Sequence, residues 1–113
     1  MTLKEKMHGE IAVVTFKGNL VGDPDTTNIH EKVRSLMDGG VSKIVFDLGR
    51  VRWVNSAGLG ALIASLTTVK NRGGDLRIAS VTEKVESLFA ITQLVKVFKT
   101  YESVDRAVAS FKK

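Results

Sequence analysis

Apolar residues recur along this chain with two periods, one typical of strands and the other of helices. Near the start, apolar and charged residues alternate from Leu3 to Met7, and a more apolar run follows from Ile11 to Phe16. Both patterns predict β-strands, and the sequence between them, His8-Gly9-Glu10, is typical of a turn. We therefore expect the chain to begin with a β-hairpin.

Three later apolar runs predict further strands. The first of these runs, at Lys43 to Leu48, has the continuous apolar character of a strand that is buried on both faces. With the hairpin, these runs bring the expected number of strands to about five. They lie at Lys43 to Leu48, Leu76 to Ala79 and Val95 to Phe98.

Four segments have the helical spacing of apolar residues. Asp23-Pro24 predicts the first helix start, because aspartate can cap exposed amides and proline at the first helical position loses no needed hydrogen bond. Thr82 or Ser80 can cap the third helix, and the glycine pairs at 39–40 and 73–74 predict the ends of the first two. The expected apolar faces are Ile29, Val33, Leu36 and Met37; Leu59, Leu62, Ile63, Leu66 and Val69; Val85, Leu88 and Phe89; and Val104, Ala107, Val108 and Phe111.

This order of strands and helices predicts a single α/β domain that spans residues 1–113. Strand-helix-strand repeats require parallel neighbours, so we expect a mixed, mostly parallel sheet of about five strands with about four helices. The last helix has Glu102 and Asp105 early and Lys112-Lys113 late, which suits the helix dipole. A chain of 113 residues is long enough to close one hydrophobic core.

Composition excludes several classes of function. The net charge is +5, but the basic residues are spread along the chain, and the only Trp and Tyr, Trp53 and Tyr101, lie far apart. We therefore expect no nucleic-acid binding. Cysteine is absent, which excludes disulfides and thiolate metal sites. The most apolar stretch, Ala57 to Leu66, is about half the length of a membrane span, so we expect a cytoplasmic protein with no membrane segment. We also expect no metal and no cofactor.

The segment from Ile44 to Leu66 carries the most informative chemistry, because a predicted buried strand leads through a short turn directly into a helix. Ser56 lies in that turn, as the N-cap residue or one position from it, beside unpaired amides at the positive end of the helix dipole. The backbone amides and the helix dipole would stabilise a phosphate at this position. Small residues let another backbone or a partner come close in the first turns; they are Ala57, Gly58, Gly60, Ala61 and Ala64.

Enzymatic interpretations of this turn have little support. A nucleophilic serine on a strand-to-helix elbow requires glycine two residues earlier, where this chain has Val54. The two histidines, His8 and His30, fall in a predicted turn and on the first helix. Gly58 and Gly60 lack the Lys-Ser/Thr that completes a phosphate-binding loop, and close packing explains glycines here more simply.

Three large residues just before the turn are candidates for its surface or for the core. Arg50 and Arg52 alternate with Val51 and Trp53, so both arginines can face the Ser56 surface, either as solvated charges or as contacts to a partner or phosphate. Trp53 has apolar neighbours and is predicted to be buried. On that prediction, Trp53→Ala costs about 3 to 5 kcal/mol of stability.

The sequence IVFDLGRVRWVNSAGLGALIASL, residues 44–66, resembles the signature of the STAS domain in bacterial anti-sigma-factor antagonists. In that signature a buried strand leads into Asp-Ser-Ser/Thr-Gly-Leu-Gly and then into a helix. The resemblance extends to Gly18-Asn19-Leu20, which is similar to the family's Gly-Glu-Leu, to Gly73-Gly74 and to the helix at Val85 to Phe89. It fits a free-standing STAS domain better than a fragment of an anion transporter.

The resemblance implies a binding switch and not an enzyme. In the family, a partner that is both a serine kinase and an anti-sigma factor phosphorylates the serine of the signature, and only the unphosphorylated form binds that partner and releases sigma. The corresponding acceptor here is Ser56. We therefore predict an antagonist that sequesters an anti-sigma kinase, is restored by a PP2C-type phosphatase, and is a monomer or weak dimer.

Several residues depart from the family pattern. Asn55 replaces the acid that usually precedes the serine, and Ala57 follows the serine. Asn19 and Val21 replace two acids of the earlier loop, and Asp23 is placed to take over the role of the second. These changes leave open a second function, an unphosphorylated scaffold or sensor subunit of a signalling assembly. The predicted partner-binding residues are Asn19, Asp23, Arg50, Arg52, Asn55, Ser56, Ala57, Gly58, Leu59 and Gly60.

Overall fold

A computed structural model describes residues 1–112, and its first two strands form the predicted hairpin. β1 (Thr2–His8) and β2 (Ile11–Lys17) pair antiparallel. Gly9 between them has φ +64°, a conformation that glycine adopts without steric cost. β2 is buried along most of its length and β1 is mostly exposed, as befits a strand at the edge of the sheet.

The remaining strands add to β2 in chain order and run parallel to it. They are β3 (Lys43–Arg50), β4 (Asp75–Ala79) and β5 (Thr100–Tyr101), and the sheet order is β1-β2-β3-β4-β5. The helices of the described chain are α1 (Asp25–Asp38), α2 (Ser56–Asn71), α3 (Glu83–Ile91) and α4 (Val104–Ser110). This mixed, mostly parallel sheet with its helices confirms the predicted fold class.

Side chains on the two faces of the sheet form two hydrophobic clusters. The larger one includes residues of α1, α2 and α3, and at its centre the rings of Phe16 and Phe46 lie 4.8 Å apart. The smaller one joins Ala107 and Val108 of α4 to apolar residues of β2 and β3. Because successive strand residues point to opposite faces, the three central strands, β2, β3 and β4, contribute to both clusters.

The strand predicted at Val95 to Phe98 is wrong. The chain instead forms a short 3₁₀ turn at Leu94–Lys96, and the last strand of the sheet, β5, begins later. Leu94 and Phe98 are buried, whereas Lys96 between them is exposed. An extended strand would place all three side chains on one face and so bury the lysine.

The prediction that Trp53 lies in the core is also wrong. Val51 and Val54 are buried on either side, but Trp53 is 40% exposed, and Lys84 Nζ lies 5.2 Å from the centre of its ring. Ile63, assigned to the buried face of α2, is 38% exposed. The stability cost expected for a fully buried indole therefore does not apply to Trp53.

Polar residues begin the helices close to the predicted places. Asp23 accepts a hydrogen bond from an amide of α1, but Pro24 occupies the N-cap position instead of the first helical position. Thr82 is the N-cap residue of α3. Asp105 lies in the first turn of α4, and Lys113, predicted near the end of that helix, lies outside the described residues.

Candidate functional site

Two loops meet at the edge of the sheet where the parallel strands end. One loop follows β2 and the other follows β3, and Leu20 and Val54 form a parallel bridge between them. The Leu20 amide donates to the Trp53 carbonyl at 3.0 Å, and the Leu20 carbonyl accepts from the Asn55 amide at 3.2 Å. The two loops that carry the family resemblance are therefore joined directly in front of α2.

Asn55 holds this arrangement with both ends of its side-chain amide. It is the N-cap residue of α2, and its Oδ1 accepts a hydrogen bond from the Gly58 amide at 2.9 Å. Its Nδ2 donates to the Val21 carbonyl, also at 2.9 Å. A carboxylate could accept the first hydrogen bond but has no hydrogen for the second. The residue that departs from the family pattern is therefore suited to joining the two loops.

Gly58 allows the close contact between α2 and the first loop. It is buried, and a Cβ atom at this position would lie 2.3 Å from the Leu20 carbonyl oxygen and 2.8 Å from Val54 Cγ1. Close packing, the simpler explanation in the sequence, is thus confirmed for Gly58. At Gly60 a Cβ atom would meet nothing within 4 Å, so packing does not explain that glycine.

Ser56 is the first residue of α2, one position from the N-cap, and it is exposed. The first turn of α2 carries no acidic residue. Among residues 1–112, no hydrogen bond uses the Ser56 hydroxyl or the backbone amides of Ser56 and Ala57. These amides lie at the positive end of a helix, where a negative group is stabilised. The turn can therefore accommodate a phosphate on Ser56.

Three of the predicted binding residues lie together around a depression beside the turn that carries Ser56. They are Asn19, Arg50 and Arg52. The volume of the depression is about 450 Å³, and Lys17 adds a third cation to its lining. All four residues are exposed. Ser56 does not line this depression, so the structure forms a basic surface beside the serine turn instead of a single pocket around it.

Asp23 helps to begin α1, as the sequence predicts, in addition to its predicted place among the partner-binding residues. Hydrogen bonds from the hydroxyls of Thr26 and Thr27, and then from the Thr27 amide at 3.1 Å, lower the pKa of the Asp23 carboxyl. The exposed carboxylate is thus charged and belongs to the start of α1. Its contact with a partner stays a prediction.

Two apolar side chains on the joined loops are exposed, which the sequence did not predict. Val21 is 49% exposed and Trp53 is 40% exposed. The carbonyl of each accepts one of the hydrogen bonds that join the loops. For Val21, the sequence signal was an apolar residue at a position where the family has an acid. For Trp53, exposure depends on contacts between the two loops, which the sequence does not reveal.

No hydrogen bond among residues 1–112 joins Ser56 to His8 or His30. Within the same residues, no group of three or more His, Asp or Glu side chains is placed to hold a metal ion. None of the helices described is long and apolar enough to span a bilayer.

Comparison with known proteins defines the class of this fold. A family model described as the STAS domain matches residues 4–107. Because this match covers most of the chain, the protein belongs to the STAS domain family, as the sequence resemblance implied.

The relatives include anti-sigma factor antagonists. BtrV of Bordetella bronchiseptica, provisionally named an anti-sigma factor antagonist, is 25% identical over 93 residues, which cover 82% of this chain and 80% of its own. The crystal structure of an anti-sigma factor antagonist from Mycobacterium paratuberculosis superimposes with a TM-score of 0.84 at 21% identity, over 99% of this chain and 94% of its own. The structure of the Bacillus cell fate determinant SpoIIAA in its phosphorylated form superimposes with a TM-score of 0.74 at 15% identity, over 97% of this chain and 99% of its own.

Proposed function

We propose that this protein is a cytoplasmic anti-sigma-factor antagonist whose binding is switched by phosphorylation of Ser56. The unphosphorylated form sequesters an anti-sigma factor that is also the serine kinase for this site, and transcription is thereby regulated indirectly. A phosphate on Ser56 ends this binding, and a PP2C-type phosphatase restores it. The protein acts as a binding module, without catalysis and without a cofactor. The names of its relatives and the family resemblance support this assignment.

The exposed hydroxyl of Ser56 is the observation that carries the proposal. It lies at the first position of a 16-residue helix, beside two amides that have no partner in the described chain. The Asn55 side chain fixes the loops on either side of it. A kinase can therefore reach the hydroxyl, and the helix terminus stabilises the phosphate once it is attached.

The surface around Ser56 has the composition of a protein interface. Val21 and Trp53 supply exposed apolar area on the joined loops, and Arg50 and Arg52 supply charge near by. Tryptophan and arginine are enriched among residues that dominate binding energy. We assign Val21 and Trp53 to the partner-binding surface together with the residues predicted from the sequence.

Incubation with the cognate anti-sigma kinase and ATP should add one phosphate, and peptide mass spectrometry should map it to Ser56. Ser65 on the same helix is an internal comparison, because its side chain is fully buried and its hydroxyl donates to the Ala61 carbonyl at 2.9 Å. Ser56→Ala should abolish incorporation. A single phosphate on another hydroxyl residue, with Ser56 unmodified, would overturn the assignment.

Trp53→Ala should lower affinity for the anti-sigma partner by about tenfold or more while costing below about 2 kcal/mol of stability, less than the usual cost for a buried aromatic ring. The reason is that the indole is partly exposed beside the serine turn. Ile91→Ala is the matched control, because Ile91 is 79% exposed at the end of α3. Equal effects of the two variants on affinity, measured by calorimetric titration, would remove Trp53 from the surface.

A further inference from the structure

One face of the hairpin forms an open basic surface that the proposed function does not use as a whole. α4 packs on β3, β4 and β5 on this side of the sheet. Towards β1 and β2 the surface is open, with a depression of about 560 Å³. The cationic side chains that line it are Lys4, Lys6, Lys17 and Arg50, and we call this surface the hairpin face.

The positive charge of the hairpin face is not neutralised within the described chain. Lys4, Lys6, Lys17 and Arg50 are exposed, and none of them takes part in the ion pairs found among residues 1–112. Four cations are therefore available to an acidic ligand.

The two carboxylates that border the hairpin face are already engaged. Asp47 accepts hydrogen bonds from the Gly49 amide at 3.0 Å and from the Thr15 hydroxyl at 3.4 Å. Glu5 pairs with Lys32 of α1 at 3.1 Å. Neither acid forms an ion pair with the cations of this surface in the described chain, and the four cations outnumber the two carboxylates, so the surface has a net positive charge.

The spacing of the cations matches an extended polypeptide. Lys4 and Lys6 are two residues apart on one strand, so they project from the same face about 6.6 to 6.8 Å apart. Lys17 and Arg50 are partners across β2 and β3, about 4.8 Å apart in the hydrogen-bonding direction. Acidic side chains at alternate positions of an extended peptide have the same repeat as Lys4 and Lys6.

We propose that the hairpin face binds an extended acidic segment of a partner protein, with Asp or Glu at alternate positions. Its lining contains no aromatic ring on which a nucleic-acid base could stack and no large apolar side chain that could insert into a bilayer. Arg50 also lines the depression beside Asn19 and Arg52, so a bound segment can continue toward the serine turn. The proposal depends on charge and spacing, and it stands independently of phosphorylation at Ser56.

A labelled peptide of alternating Glu and Ser residues provides the test, with fluorescence anisotropy as the readout at low and at physiological salt. The peptide should bind the wild-type chain, and affinity should fall as salt rises. The double variant Lys4→Glu/Lys6→Glu should bind at least about tenfold more weakly. Lys96→Glu/Lys99→Glu has the same change in net charge near β5, at the opposite edge of the sheet, and should bind within about threefold of wild type.

Two comparisons make the result decisive. In the first, a peptide of alternating Lys and Ser should not bind. In the second, the probe is a single-stranded oligonucleotide or vesicles with anionic lipid, and it should bind the Lys4→Glu/Lys6→Glu variant no more weakly than the Lys96→Glu/Lys99→Glu control. Equal loss of acidic-peptide binding in the two double variants, both folded by circular dichroism, would contradict the proposal. So would oligonucleotide or vesicle binding that depends on Lys4 and Lys6 as strongly as peptide binding does.

Discussion

Gly58→Ala should destabilise the protein by about 2 kcal/mol or more, although alanine is the better helix former by about 1 kcal/mol. The added Cβ would lie 2.3 Å from the Leu20 carbonyl oxygen and 2.8 Å from Leu20 Cγ. A backbone oxygen cannot rotate away, and this one accepts the hydrogen bond from the Asn55 amide. Relief of the clash therefore separates the two loops.

Gly60→Ala provides the matched control on the same helix. A Cβ at Gly60 meets nothing within 4 Å, so this variant should be as stable as wild type or more stable by up to about 1 kcal/mol. Denaturant titration of both variants measures the difference. Similar unfolding free energies for Gly58→Ala and Gly60→Ala would show that Gly58 does not control the approach of α2 to the first loop.

The sequence was sufficient for the parts of the fold that follow from local periodicity. Strands such as β2 and β3 carry apolar runs because both of their faces are buried, and the start of α3 follows from a threonine cap. The serine turn was equally visible, because Ser56 stands between a buried strand and a helix rich in small residues. In each case the residues that determine the structure are neighbours in the sequence.

The errors arose where distant contacts decide the conformation. Trp53 lies in a loop and not in a strand, so its apolar neighbours in the sequence do not determine its burial; hydrogen bonds tie this loop to Leu20, and the Trp53 side chain stays 40% exposed. The run from Val95 to Phe98 resembles a strand, but Gln93 adopts a left-handed conformation, φ +62°, just after α3, and a 3₁₀ turn follows at Leu94–Lys96. The double role of Asn55 was not predictable either, because its second acceptor is the Val21 carbonyl of the other loop.

Ser56→Asp should leave the fold intact and abolish binding to the anti-sigma partner. A negative charge at the N-terminus of α2 is favourable by roughly 0.3 to 1 kcal/mol when exposed, so stability is not the switch. At a distance of about 4 Å from an acidic group of the partner, the same charge costs up to roughly 4 kcal/mol at an effective dielectric constant near 20. Half of that value weakens affinity about thirtyfold.

Two further variants separate the position of the charge from its presence. Ser56→Ala should bind the partner like the unmodified protein and should be insensitive to the kinase, because it lacks the acceptor hydroxyl. Ser35→Asp places the same charge at an exposed position near the far end of α1. It should leave affinity within about a factor of two of wild type, since exposed charges beyond about 10 Å are largely screened at ordinary ionic strength.

Calorimetric titration of Ser56→Asp and wild type against the anti-sigma partner tests the phosphorylation switch most directly. The account predicts tight binding by unmodified wild type and a loss of about thirtyfold or more for Ser56→Asp, with the circular dichroism spectra of the two proteins unchanged. If Ser56→Asp is folded and binds within about a factor of two of wild type, a negative charge at Ser56 does not control binding and the proposed switch is wrong.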